Sequence, residues 1–145
     1  MKDKLVKLAS DKFCHLMVIT FLEHGLTDIK EEVVIALSNK VVELSRDPYG
    51  HTVIVSCIKN TSDQEQLIIM ENICKVSDNK ADTHMVRLVG DKYGHKVVLL
   101  MLELSRYRQI HDTIRTAILV KQEEVMDTDY GRMVLDIMRT KFRGN

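Results

Sequence analysis

The chain has 145 residues, 45% hydrophobic and 29% charged, which is the balance of a folded globular protein and not of a disordered one. Its 21 Lys and Arg offset 21 Asp and Glu, so overall charge makes no demand for a polyanion and only a local patch could serve one. Three cysteines without CxxC spacing suggest neither a disulfide framework nor a zinc site, and apolar runs of at most six residues are too short to span a bilayer. Met1-Lys2-Asp3-Lys4 has no apolar stretch of a secretory signal behind it, so a reduced intracellular compartment is expected.

In chain order, "LVKLAS" leads into "DKFCHLMVITFLEHG" from Asp11, and "TDIKEEVVIALSN" follows with helical spacing. "VVELSR" then leads into "DPYGHTVIVSCIKN" from Asp47, which holds the only proline, Pro48. Ser62-Asp63-Gln64-Glu65 is a capping box opening a helix whose apolar face is Leu67, Met70, Ile73 and Cys74. The polar "VSDNKADT" reads as a surface loop. "MVRLVG" leads into "DKYGHKVVLLMLEL" from Asp91, with Val97, Val98, Met101 and Leu102 on one face, and Ile110, Ile114, Ala117 and Ile118 mark the next helix. "EEVMD" leads into a degenerate copy, "TDYGRMVLDIM", from Thr128.

The copies start 36, 44 and 37 residues apart, a period that marks a repeat protein. Each repeat reads as three helices: a short leading one, a middle one opening at the His or Arg of the motif, and a third. Gly50, Gly94 and Gly131 are expected to give the backbone room for a tight turn. The expected fold is all-α, one continuous segment over 1–145 with repeat cores near 5–38, 39–76, 81–119 and 121–145.

A period near 36 with an Asp-x-Tyr-Gly turn before the middle helix resembles the pumilio (PUF) repeat family, whose three-helix units stack into an α-solenoid. "GDKYGHKVVLLMLEL", the longer interval before it, "VVELSRDPYGHTVIV" and "FLEHG" are most similar to the Puf-A/penguin branch of nucleolar pumilio-like proteins. The resemblance runs from about Leu5 to Met138 and implies a segment of a longer repeat array. It also implies binding to RNA, and to DNA, with little sequence preference, a role in maturation of large-subunit ribosomal RNA alongside pre-ribosomal proteins, and a place in the nucleolus or nucleus.

Pumilio repeats read bases with two or three side chains on the middle helix. The resemblance puts those positions at His15, Leu16 and Ile19; His51, Thr52 and Val55; His95, Lys96 and Leu99; Arg132, Met133 and Asp136. Ile19, Val55 and Leu99 cannot hydrogen-bond a base edge, so no literal base code is encoded. The candidate RNA-contacting residues are therefore His15, His51, Thr52, His95, Lys96, Arg132 and Asp136. The recurring His either satisfies the start of its helix or forms a row of stackable, weakly cationic rings that meets phosphates and bases without preference. Tyr49, Tyr93, Tyr130 and Phe13 are expected to pack between repeats. "SRYRQIH" and "RTKFRGN" are the densest basic stretches.

No nucleophile elbow, phosphate loop or metal-ligand motif is present, so neither an enzyme nor a bound cofactor or metal is expected. Two rival readings accompany backbone-directed RNA binding: a protein-interaction scaffold, which the zero net charge favours, and a sequence-specific messenger-RNA regulator. The apolar "LMVITFL" of the first copy, without a polar cap, implies a partly exposed apolar face and with it either self-association or dependence on neighbouring repeats.

Overall fold

A computed structural model describes residues 2–74, 84–104 and 108–140. All of the "VSDNKADT" loop, and parts of the two densest basic stretches, lie outside the described residues. The described chain holds eleven helices and no strand. They run α1 (Lys2–Ala9), α2 (His15–His24), α3 (Thr27–Ser38), α4 (Val41–Ser45), α5 (Gly50–Asn60), α6 (Asp63–Cys74), α7 (His84–Val89), α8 (Gly94–Leu104), α9 (Arg108–Val120), α10 (Gln122–Val125) and α11 (Asp129–Thr140). A short helix followed by two longer ones thus occurs three times, and a short–long pair follows.

The chain divides into two compact units, Met1–Ile73 and Cys74–Asn145. In the first, α2 packs on α5, α4 on α5, and α1 on both α2 and α3. Leu22, Val34, Val53, Ile54 and Ile58 are fully or almost fully buried there. In the second, α7 packs on α8 and α9, α11 on α7 and α8, and α10 on α7, α9 and α11. Leu88, Val97, Val98, Met101, Ile114, Ile118 and Val134 form its core. Each such aliphatic side chain is worth roughly 1.5–3 kcal/mol when taken from water. This packing, not helix propensity, holds helices as short as α4 and α10.

The expected faces are mostly those observed. Val97, Val98, Met101 and Leu102 are all buried, as are Ile114 and Ile118. On α6 the expected Ile73 is buried together with Ile69, which the expected face did not include, and Leu67 is only half-buried. The Met70, Cys74 and Ile110 side chains fall outside the description. The capping residue is found: Ser62 Oγ accepts from the Glu65 amide at 3.3 Å.

The helix starts and the glycines differ in detail from expectation. α2 begins at His15, but α5 and α8 begin at the glycine and α11 at Asp129. No described glycine has a positive φ, so the turn does not demand glycine conformationally. The reason is proximity. A Cβ on Gly50 would stand 2.7 Å from the Leu44 carbonyl oxygen, one on Gly94 2.7 Å from that of Leu88, and one on Gly131 1.9 Å from that of Val125. The motif glycine lets the middle helix close onto the last carbonyls of the short helix before it.

Candidate nucleic-acid interface

Each motif copy builds the same hydrogen-bonded knot from its own few residues. Asp11 Oδ1 accepts from the amides of Phe13 (2.8 Å) and Cys14 (2.9 Å). Asp47 Oδ2 accepts from Tyr49 (2.9 Å) and Gly50 (2.6 Å), and Asp91 Oδ2 from Tyr93 (2.9 Å) and Gly94 (2.8 Å). In the degenerate copy Thr128 Oγ1 accepts from Gly131 at 3.0 Å. The carboxylate thereby satisfies two amides that a helix start leaves without partners. These bonds hold the Asp11 carboxyl below the usual carboxylate range, through the Cys14 amide first and the Phe13 amide second.

The histidine closes the other half of the knot. The ring Nδ1 of His15, His51 and His95 lies 2.9, 3.0 and 2.8 Å from the backbone carbonyl oxygen of Asp11, Asp47 and Asp91. A carbonyl only accepts, so Nδ1 carries a proton and, in the neutral ring, Nε2 is left as an acceptor. His15 and His51 are half-buried and His95 is 6% exposed. Two of the rings also meet the tyrosine of the following copy: His15 lies tilted against Tyr49, centroids 5.1 Å apart and planes at 34°, and His95 stacks on Tyr130 at 4.6 Å and 21°. Tyr49 and Tyr130 therefore pack between repeats as expected; all three histidines close their turns, and His15 and His95 also join neighbouring repeats.

The remaining candidates divide by exposure. Thr52 is half-buried, its hydroxyl donating to the Tyr49 carbonyl at 2.6 Å. Lys96, Arg132 and Asp136 are exposed. Arg132 is anchored in its own copy, Nη1 donating to the Met126 carbonyl at 2.9 Å and Nη2 pairing with the Asp129 carboxylate. Its side chain thus reaches a carbonyl six residues back, where each histidine bonds the one four back. Ile19, Val55 and Leu99 are half-buried, while Leu16 and Met133 are 60% and 42% exposed. The middle helices thus offer cations and apolar surface, with few groups that can discriminate bases. The stacking partners of the histidines were the part that sequence reasoning did not assign; the signal was an aromatic two residues after each motif start.

Among the described residues no three His, Cys, Asp or Glu side chains come together as a metal site. No described helix is long and apolar enough to cross a membrane.

No protein-family model matches the chain. It is 28% identical over 102 residues to Pumilio homolog 9 of Arabidopsis thaliana, which covers 70% of this chain and 17% of that protein. Solved structures are similar over nearly its whole length. PUF-8 in complex with PBE-RNA has a TM-score of 0.87 at 17% identity, covering 97% of this chain and 40% of that one. The Puf4 RNA-binding domain bound to the HO endonuclease RNA 3′ UTR recognition sequence has a TM-score of 0.80 at 22% identity, covering 95% and 40%. The RNA-binding domain of yeast Puf5p bound to AAT2 RNA has a TM-score of 0.75 at 19% identity, covering 92% and 37%. The chain therefore spans less than half the length of each of these proteins. Its fold is the all-α pumilio-type solenoid.

Proposed function

We propose that this chain is a pumilio-type repeat segment that binds single-stranded RNA, holding it largely by the backbone and discriminating weakly between bases. The observation that carries the reading is the composition of the middle helices at the positions that the pumilio resemblance assigns to base reading. Lys96 and Arg132 offer charge, and Ile19, Val55 and Leu99 offer no hydrogen bond to a base edge. The fold's occurrence in proteins solved with RNA bound supports RNA as the partner. His15, His51 and His95 contribute by fixing the helix starts and, through Nε2, one acceptor each; Thr52 and Asp136 complete the set.

Backbone-directed binding suits a partner whose sequence varies along its length. With the motif resemblance to the Puf-A/penguin branch, it supports pre-ribosomal RNA in the nucleolus as the natural substrate. A second reading, a sequence-specific messenger-RNA regulator, is favoured by the recognition-sequence RNAs in complexes such as that of Puf4.

Competition binding separates the two. Several unrelated single-stranded RNAs of equal length should compete within about tenfold of one another, a spread of less than ~1.4 kcal/mol. One short motif winning by a thousandfold would establish the second reading, and no RNA binding at low salt would return the chain to the scaffold reading.

A further inference from the structure

The imidazole of His95 is covered almost everywhere except at one edge. The side chain is only 6% exposed, and its ring stacks on Tyr130 at 4.6 Å. Its Nδ1 donates to the Asp91 carbonyl 2.8 Å away, which leaves Nε2 of the neutral ring without a proton, as an acceptor. Among the described residues, the buried side-chain nitrogens and oxygens that lack a hydrogen-bond partner come down to Ser45 Oγ. The Nε2 of His95 has no protein donor either, so it is not sealed in: it is the edge of the ring that reaches solvent. A buried ring thus presents one acceptor, already oriented, to whatever lies against α8.

Few groups of a nucleic acid can use that acceptor. A phosphate diester has no proton to give, so a neutral Nε2 does not hold it. Every base carries an N–H, but at a position that differs from base to base, and reading one takes a second polar group in fixed geometry. Four residues along the same face of α8 stands Leu99, half-buried and with no polar side-chain atom. The donor that recurs unchanged at every nucleotide of RNA is the ribose 2′-hydroxyl, the group that DNA lacks. Lys96, next in the chain and exposed, offers a cation for the adjoining phosphate.

We infer that the Nε2 of His95 accepts from a ribose 2′-hydroxyl, and that the middle-helix face therefore prefers RNA to DNA of the same sequence. The inference rests on the RNA-binding reading above and adds a contact to the sugar beside the contact to the phosphate. A sugar carries no base identity, so this preference is compatible with weak discrimination between bases. It narrows the binding of both RNA and DNA that the motif resemblance implies. In the other compact unit His15 is tied in the same way, Nδ1 2.9 Å from the Asp11 carbonyl, and repeats the acceptor. In the fourth copy Arg132 has only donors and provides none.

The test compares three versions of one single strand by fluorescence anisotropy on the 145-residue chain, at low salt and at about pH 8, alkaline of imidazole's usual titration range. They are RNA, its 2′-deoxy form with uracil retained, and its 2′-fluoro form, which keeps the sugar shape of RNA and has no proton to donate. RNA should bind more tightly than either of the others by about two- to tenfold for each such contact, the range of one neutral hydrogen bond. Equal binding of RNA and the 2′-deoxy strand overturns the inference. So does a 2′-fluoro strand that binds as well as RNA, since sugar shape alone then makes the difference. His95→Asn keeps an amide donor for the Asp91 carbonyl and has no atom at the place of Nε2. With its helix content checked by circular dichroism, this variant should show a smaller preference for RNA, and a preference left whole overturns the assignment to His95. Absence of RNA binding by the unsubstituted chain removes the RNA-binding reading and this inference together, whereas RNA bound without preference over the other strands removes this inference alone.

Discussion

The ring of His95 lies against the ring of Tyr130, centroids 4.6 Å apart and planes 21° from parallel, while its Nδ1 donates to the Asp91 carbonyl 2.8 Å away. One side chain therefore closes its own turn and grips the next repeat. His95→Ala removes both, and should lower unfolding free energy by about 1–3 kcal/mol, the range for losing a buried polar contact. A urea-denaturation double-mutant cycle with Tyr130→Ala should return a coupling of about 0.5–1.5 kcal/mol, as for other stacked pairs. Additive effects would mean that the stack contributes nothing beyond burial.

The motif glycines should differ in their tolerance of alanine. At Gly131 the added methyl would lie 1.9 Å from backbone, against 2.7 Å at Gly50 and Gly94, and backbone cannot swing aside. Overpacking typically costs about 1–3 kcal/mol, more than the ~0.5–1 kcal/mol that alanine gains over glycine in a helix. Thermal melts should rank Gly131→Ala as the most destabilised of the three. An unchanged melt for Gly131→Ala would show that α10 and α11 can part at little cost.

For RNA binding, Lys96→Glu should weaken affinity for any single-stranded RNA and reduce the slope of log K against log salt by about 0.7, one phosphate contact on a single strand. Lys30→Glu on α3 should do much less. Fluorescence anisotropy across a salt series measures both. Equal effects from the two would move the contact surface away from the middle helices.

Cys57 is buried, and burial pushes its thiol up to about 12, with the nearby Glu65 carboxylate adding to the shift. Native protein should leave this thiol unlabelled by iodoacetamide at neutral pH, since the thiolate is the nucleophile. The raised value also fixes the sign of an alkaline response. The unfolded thiol ionises near its ordinary 9 while the folded one stays protonated, so the unfolded state binds fewer protons in this window. Stability should fall as pH rises from about 9 towards about 12, and Cys57→Ala should remove part of that fall. Rapid native labelling at Cys57, followed by peptide mass analysis, would contradict the burial.

The Asp-x-Tyr-Gly-His pattern was legible because its bonds run between residues two to four apart, so sequence spacing alone reports them. The ring contacts were not: Tyr49 lies 34 residues from His15, and no local spacing reveals which face of the imidazole is covered. Glycine was recognisable as required, but the requirement comes from the carbonyl of another helix and not from the glycine's own dihedrals. On α6 the spacing found Ile73 but not Ile69, because "LIIM" is an unbroken apolar run and only its neighbours decide that Ile69 goes in. Phe13 looked like a core aromatic by analogy with the tyrosines, yet its exposure depends on what precedes Asp11, which the motif itself does not state.

The knot around each aspartate also bears on how such a chain can change over generations. Its bonds are completed within five consecutive residues, so duplicating or deleting one unit carries the entire turn along intact. What must still match across the seam is a ring pair, as of His95 with Tyr130, and the helix faces that pack there, as of α2 on α5 or α11 on α8. A unit copied in register brings both, which makes growth by tandem duplication nearly free of new requirements. Thr128 and Arg132 show the complementary freedom, a unit whose turn has drifted in chemistry while keeping its backbone bonds, since Arg132 still donates its amide to the Thr128 carbonyl at 3.0 Å.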